Sequence, residues 1–277
     1  MNNAPMTLVS INARVCTVTL NRPDDLNPLS WQVLNELAEA LETCRDDNNV
    51  GVIVIEAAGK AFSTGYDLRE EHWITSQYPT NFTDRIDLAQ DREDVQTIVD
   101  YWMKIWRYPK PIIAKVQGDC LSGAGELLGV CDLAIVSEQA RFGHPAGRDL
   151  GIPPSIMFWP MLIGYRKTKE LLYTGKLISA HEAEKIGLVN EVVPHEALDE
   201  RVASVAAHIA RSPAENLSIL KEVSNTWFEN MGMESSVRRG ADLDAIYHQF
   251  DSFKDFFSTL KKDGVKAAFK RRRDLYG

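Results

Sequence analysis

Residues 8–12 and Val15–Leu20 are short runs of alternating or continuous apolar residues parted by Ala13-Arg14, a pattern that predicts a β-hairpin. Asn21-Arg22-Pro23-Asp24-Asp25 is turn chemistry. Ser30 then stands as an N-cap ahead of Val33, Leu34, Leu37, Leu41 and Cys44, an apolar stripe at helical spacing. Residues 51–57 form a continuous, mostly β-branched run, as expected of a strand covered on both faces, and a glycine-punctuated loop follows over 59–65. The stretch 69–94 is polar and irregular and predicts a mobile loop, with an amphipathic helix expected only over 95–106. Tyr108-Pro109-Lys110-Pro111 ends that helix, and Ile112–Val116 predicts a second buried strand. The glycine-rich segment 118–129 leads into 130–136, where a strand is expected from Asp132. Strands alternating with helices imply mostly parallel pairing with right-handed crossovers. From Tyr165 onward the pattern is helical apart from a short run at 188–193. The fold class expected is α/β, with a core over residues 1–195 and a helical region over 196–277.

Composition narrows the function classes. The chain has 277 residues, 44% of them hydrophobic and 25% charged, which is globular composition and excludes disordered and disulfide-scaffold proteins. Thirty-one basic against 39 acidic residues give a net charge of −8, the wrong sign for a protein that tracks nucleic-acid phosphates. One local exception is the basic cluster Lys270-Arg271-Arg272-Arg273. The four cysteines make no CxxC pair and have no histidine at metal-ligand spacing, so free, buried thiols in a reducing compartment are expected. The N-terminus lacks a basic region followed by an apolar core, and no apolar window reaches the ~20 residues of a spanning helix. A cytoplasmic protein with no membrane partner is the expectation.

Two glycine-containing loops each follow a buried strand: Ala61-Phe62-Ser63-Thr64-Gly65-Tyr66-Asp67-Leu68 and Ser122-Gly123-Ala124-Gly125-Glu126-Leu127. Glycine at a strand end lets backbone approach a ligand closely, and a helix start aims free N–H groups at negative charge. Two such loops side by side would offer two donors to one oxygen, an oxyanion hole. From spacing alone, ordinary turn punctuation remains the stronger alternative.

The combination of Leu20-Asn21-Arg22-Pro23 and Asn27-Pro28-Leu29 with the first loop, and with PKPIIAKVQGDCLSGAGELLGVCDLAIVSEQARFG, resembles the crotonase (enoyl-CoA hydratase/isomerase) superfamily. The likeness continues through KELLYTGK, SAHEA and IGLVNEVVP to Ala268-Phe269-Lys270-Arg271-Arg272. It implies a core of repeated ββα units with a C-terminal helical trimerisation region, assembled as a homotrimer or a dimer of trimers. It also implies an acyl-CoA thioester substrate whose enolate is held by two backbone N–H groups. Coenzyme A then belongs to the substrate, and no metal or redox cofactor is implied.

Carried over by position, the two donors are the N–H groups of Tyr66 and Gly123, and Glu126 matches one of the two acid/base glutamates of the hydratases. Thr64, Gly65 and Asp67 lie where the family meets CoA, and Lys270 belongs to its closing helix. The second hydratase glutamate is missing: the family's Phe-Gly-x-Pro-Glu is here Phe142-Gly143-His144-Pro145-Ala146. His144 and Asp149 are candidate substitutes, a backbone-bonded histidine and an Arg148–Asp149 ion pair being the plainer roles. Trp73, Trp102, Trp106 and Trp159 are expected in the core or the acyl-pocket wall, with Trp159 the best pocket candidate. The resemblance implies reversible hydration of a 2-enoyl-CoA. Double-bond isomerisation, C–C hydrolysis, decarboxylation and thioester hydrolysis would use the same enolate hole, and a non-catalytic CoA- or RNA-binding member is the remaining alternative.

Overall fold

The computed structural model of the chain describes residues 5–69, 85–150, 154 and 156–276. Strands β1 (Thr7–Asn12) and β2 (Val15–Leu20) form the expected antiparallel hairpin, Ala13 and Arg14 turning it with positive φ. Helix α1 (Trp31–Arg45) is capped by Ser30, whose Oγ accepts from the Val33 N–H at 3.3 Å. Strand β3 (Val52–Ala57) pairs parallel with β2, and β4 (Ile112–Val116), β6 (Leu133–Ser137) and β9 (Glu191–Val193) extend the sheet in the order β1-β2-β3-β4-β6-β9. A second, three-stranded sheet joins β5 (Asp119–Leu121), β7 (Arg141–Gly143) and β8 (Ile178–Ser179).

The continuous apolar run of β3 has its cause in two covers. Ile53 and Ile55 face the main core with Leu34, Leu37, Val99 and Trp102, while Val52 and Val54 face a second cluster with Leu198, Val202 and Ala206. That second cover is helix α8 (Leu198–Ile209). The boundary expected at 195–196 therefore separates β9 from the helix that closes its own sheet.

Helix α2 runs Leu88–Trp106, a correction to the sequence expectation of irregular chain up to Asp94. Asp87 caps it, its Oδ1 accepting from Ala89 N–H at 2.9 Å and Gln90 N–H at 3.2 Å. The early turns looked polar because the inward residue is Asp91, which is fully buried against His248. Residues 70–84, with Trp73, lie outside the described residues. Helix α3 (Gly123–Val130) follows β5 directly, then come α4 (Pro145–Asp149), α5 (Trp159–Leu162), α6 (Tyr165–Thr174) and α7 (Ala180–Lys185). The C-terminal layer is α9 (Ala214–Asn230), α10 (Met233–His248), α11 (Asp251–Asp263) and α12 (Val265–Tyr276). In it, α10 lies along α2, and Phe253, Phe256 and Phe257 of α11 build a third apolar cluster that takes in Leu150, with Leu68 and Ala146 packed on its edge. Among the described residues, no helix is long and apolar enough to cross a membrane.

Candidate active site

The two glycine loops lie side by side, as the sequence pattern allowed. Ser63 N–H donates to Asp119 O and Leu121 N–H donates to Ser63 O, both at 3.0 Å, so one rung of parallel pairing locks the first loop to β5. The first loop is also tied to the segment after the hairpin, Leu29 N–H donating to Gly65 O and Asp67 N–H to Leu29 O at 2.8 Å each. Asn27 completes the frame: its side chain donates to Ala58 O at 2.8 Å and Ala61 O at 2.9 Å and accepts from Arg22 N–H at 2.8 Å. The Asn-Arg-Pro…Asn signature thus acts as a brace for the site.

Gly65 has φ +95°, and a Cβ there would fall 2.9 Å from Gly123 N, Leu121 O and the Ser122 Cβ. Only glycine lets the peptide that carries the Tyr66 N–H approach the start of α3 this closely. Ser122, just before Gly123, holds φ +52° and ψ −123°, a conformation that costs a non-glycine residue about 1–3 kcal/mol and clusters at functional sites. Among the described residues, the N–H groups of Tyr66 and Gly123 donate to no backbone or side-chain acceptor. Two adjacent, unpartnered donors on a braced backbone form a ready receptor for an oxyanion.

Glu126 sits in the first turn of α3 and is 3% exposed. Its Oε2 accepts from the Tyr66 hydroxyl and its Oε1 from the Ile156 N–H at 3.3 Å. Trp102 of α2 donates from Nε1 to the same Tyr66 oxygen at 2.8 Å. Burial and then the Glu126 carboxylate hold the Tyr66 phenol well above its ordinary value of 10, so it remains a protonated donor. The Tyr66 ring packs over Gly123, where a Cβ would lie 2.7 Å from ring carbon Cε2. Tyr66 was expected to act through its backbone. Its side chain also aims the carboxylate, and neither this role nor that of Trp102 had a local signal, because the partners are 60 and 36 residues apart.

The remaining candidates occupy distinct places. Thr64 is half-buried and its N–H donates to Leu26 O at 3.2 Å. Asp67 is buried and pairs with Arg22 at 2.9 Å and Arg69 at 2.7 Å, which fastens the first loop to the hairpin exit. His144 is buried at the head of α4, and Asp149 closes that helix in an ion pair with Arg148 at 2.7 Å. Ala146 between them is half-buried at the edge of the phenylalanine cluster. Lys270 is exposed on α12, whereas Arg271 pairs with Asp255 and Arg272 donates to Asp149 O at 3.1 Å and Ser252 O at 3.2 Å. Trp159 is buried and lines a cavity of about 370 Å³ with Met157, Phe158, Met233 and Val237. Among the described residues, no group of three His, Cys, Asp or Glu side chains is placed to hold a metal ion.

The chain is similar to known proteins over almost all of its length. It is 33% identical to a Mycobacterium tuberculosis protein named "Probable enoyl-CoA hydratase echA8", over 96% of this chain and 95% of that one. A Dictyostelium discoideum protein named "Probable enoyl-CoA hydratase, mitochondrial" is 37% identical over 78% of this chain and 74% of its own. Among solved structures, an enoyl-CoA hydratase/isomerase from Xanthobacter autotrophicus superposes with a TM-score of 0.87 at 29% identity, covering 98% of both chains. An enoyl-CoA hydratase from Mycobacterium smegmatis superposes with a TM-score of 0.88 at 26% identity, over 99% of this chain and 95% of that one. With the family model described as "Enoyl-CoA hydratase/isomerase" matching residues 10–274, the braced pair of N–H groups beside a buried glutamate sits on a crotonase fold, and the chain belongs to the enoyl-CoA hydratase/isomerase family.

Proposed function

We propose that the protein adds water reversibly across the double bond of a 2-enoyl-CoA, with Glu126 as its acid/base group. One observation carries this reading: a buried carboxylate, aimed by a phenol and a backbone N–H, stands on the same short helix whose first N–H is half of the oxyanion receptor. The thioester oxygen accepts from the N–H groups of Tyr66 and Gly123. Glu126 takes a proton from water as the water oxygen bonds to C3. The double-bond electron pair moves toward the thioester oxygen as an enolate, and protonated Glu126 returns that proton to C2 as the carbonyl re-forms, which completes the hydrated product and restores the carboxylate. Each fixed donor in a dry hole of this type is worth about 3 kcal/mol, and acid/base assistance about 10²–10⁴-fold.

Ala146 in place of a second glutamate favours one other reading, double-bond isomerisation, in which a single carboxylate moves a proton between two carbons. Incubation with crotonyl-CoA and with a 3-enoyl-CoA separates the two. Loss of the conjugated thioester absorbance of crotonyl-CoA supports hydration. Appearance of that absorbance from the 3-enoyl substrate, with crotonyl-CoA untouched, replaces it by isomerisation.

Thr64, Gly65, Asp67 and Lys270 are proposed to line the path of CoA, and the protein to assemble as a homotrimer or a dimer of trimers. Support for assembly comes from α9, where Ile219, Leu220, Val223 and Trp227 stand exposed at helical spacing with Met231 at the C-cap, Trp227 by 72%. The thiols of Cys16 and Cys44, 3.2 Å apart and unbridged, fit a cytoplasmic location. Arg271 and Arg272 are engaged within the chain, which weighs against the basic cluster as an RNA contact.

A further inference from the structure

The cavity lined by Trp159 suits an apolar occupant. It holds about 370 Å³ between the segment of Met157 and Phe158, helices α5 and α6, and the face of α10 that carries Met233, Val237 and Gly240. Among the described residues, no charged side chain lines it. Its two hydroxyls are already engaged at the starts of their own helices: Thr168 Oγ1 donates to Gly164 O at 2.8 Å and Ser236 Oγ to Gly232 O at 2.9 Å. Four of the chain's seven methionines, Met157, Met161, Met231 and Met233, stand around it. Unbranched thioether side chains adapt their shape to whatever lies against them. A packed interior leaves few voids larger than a water molecule, whereas ligand sites begin at about 300 Å³.

The cavity meets the site through one residue. Ile156 N–H donates to Glu126 Oε1 at 3.3 Å, and Met157, next in the chain, packs on the same helix. A Cβ built on Gly125 would fall 2.9 Å from Met157 Cε, and one on Gly129 would fall 3.1 Å from Met157 O. Met157 therefore touches α3 with its methyl end while it lines the cavity, and so forms the partition between them. Phe158 fixes the wall: its ring meets Trp106 edge to face at 6.0 Å, one turn along α2 from the Trp102 that donates to Tyr66. It does so at φ +53°, which a bulky residue keeps only where its surroundings impose it, and such strain gathers at functional sites. Met231 and Leu243, both exposed, stand at the open edge.

We propose that this cavity receives the apolar tail of the acyl chain, and that Met157 is the specificity-determining residue that admits it. The reacting C3 lies against Glu126, and Met157 is the side chain packed on the residue before it. A crotonyl chain ends at that partition. A longer chain displaces the Met157 side chain, which turns aside at little cost because it is unbranched, and continues along Met161 and Met233. The preferred substrates are 2-enoyl-CoA thioesters with an unbranched chain running beyond C4. This rests on Glu126 being the acid/base group of the proposed hydration.

Carbon-13 NMR of methyl-labelled methionine, on the full chain with saturated thioesters that cannot be hydrated, reads the position of the tail directly. Octanoyl-CoA should shift the methyl resonances of Met157, Met161 and Met233, each assigned by replacement with leucine, and leave those of Met6 and Met103, which do not line the cavity, in place. Butyryl-CoA should leave Met161 and Met233 where they were. Calorimetry should give octanoyl-CoA a Kd at least about tenfold below that of butyryl-CoA, since each buried methylene is worth about fourfold. Val237→Phe, which fills the cavity from α10, should bring that ratio close to one. Met161 and Met233 resonances that ignore octanoyl-CoA, or equal wild-type affinities for the two thioesters, overturn the proposal. Cavity resonances that respond only to dilution give the space to a second copy of the chain and overturn it too. If Val237→Phe fails to fold, the wild-type spectra and affinities decide. They need no turnover, so a protein that holds the tail but hydrates nothing loses the hydratase reading alone, and one that hydrates crotonyl-CoA but ignores the tail loses the cavity alone.

Discussion

In the proposed mechanism Tyr66 serves the site twice, through its N–H on the thioester oxygen and through its hydroxyl, which donates to Glu126. Tyr66→Phe removes the second function alone. Glu126 then loses a donor that favours its ionised form, and Trp102 Nε1 loses its acceptor, an unsatisfied pair worth about 1–3 kcal/mol. The expected result is a lower melting temperature together with an acidic limb of kcat/KM displaced to higher pH; an unchanged pH profile would show that the phenol does not tune the carboxylate. Much of this chemistry was legible in the sequence. Glycine before Tyr66 and glycine runs before Glu126 mark backbone that must approach something closely, and the resemblance assigned Glu126 by position. What stayed hidden is chemistry between distant residues. A tyrosine 60 positions from its carboxylate, or Asp91 157 positions from His248, leaves no periodicity to read.

At the scale of elements, the site is a junction of two loops held by strand-like pairing and one short helix. Gly65→Ala tests whether that junction must be tight. Its Cβ would press within 2.9 Å of Gly123 N at a φ of +95°, so the two donors have to separate. The variant should lose at least about 1 kcal/mol of stability and, where still folded, about 100-fold or more in turnover, the scale of one lost oxyanion donor. Thermal melts and kcat measure both, and a folded variant with normal kcat would exclude the paired-donor geometry. The strands β2, β3, β4 and β6 could be read from the chain as alternating or continuous apolar runs, and helix α1 because it keeps one helical period and its own cap. The first turns of α2 could not, since a buried aspartate on the inward face breaks the apolar stripe that would have announced a helix. Helix α4 was missed for a different reason: five residues beginning with proline are too few to show a period.

The whole molecule adds charge and assembly. Asp244, raised in the folded chain to about 7 from 3.8, binds more protons there than when unfolded. Its stabilising contribution is full below the unfolded value and is lost as the pH rises through about 7, and the raised His248 acts in the same direction. Melting temperature should therefore fall as pH climbs through neutrality, with a shallower fall in Asp244→Asn; equal slopes would deny that Asp244 is held protonated. The exposed apolar stripe of α9 predicts that Trp227→Glu reduces the mass seen by size-exclusion chromatography with light scattering, without unfolding the chain. A variant that keeps the wild-type mass would move the interface elsewhere. The α/β core and helical C-terminal layer were legible at this scale, whereas the closure of the sheet by α8 was not, because amphipathic helices do not state which face of a sheet they cover. The central claim is hydration by Glu126, and its most direct test is crotonyl-CoA in heavy-oxygen water, followed by mass spectrometry of the thioester, for wild type and Glu126→Gln. Wild type should add one labelled water, and a folded Glu126→Gln that still binds CoA should do so at least about 100-fold more slowly. Absence of labelled 3-hydroxybutyryl-CoA after wild-type incubation, or equal rates of its formation in the two proteins, would contradict it.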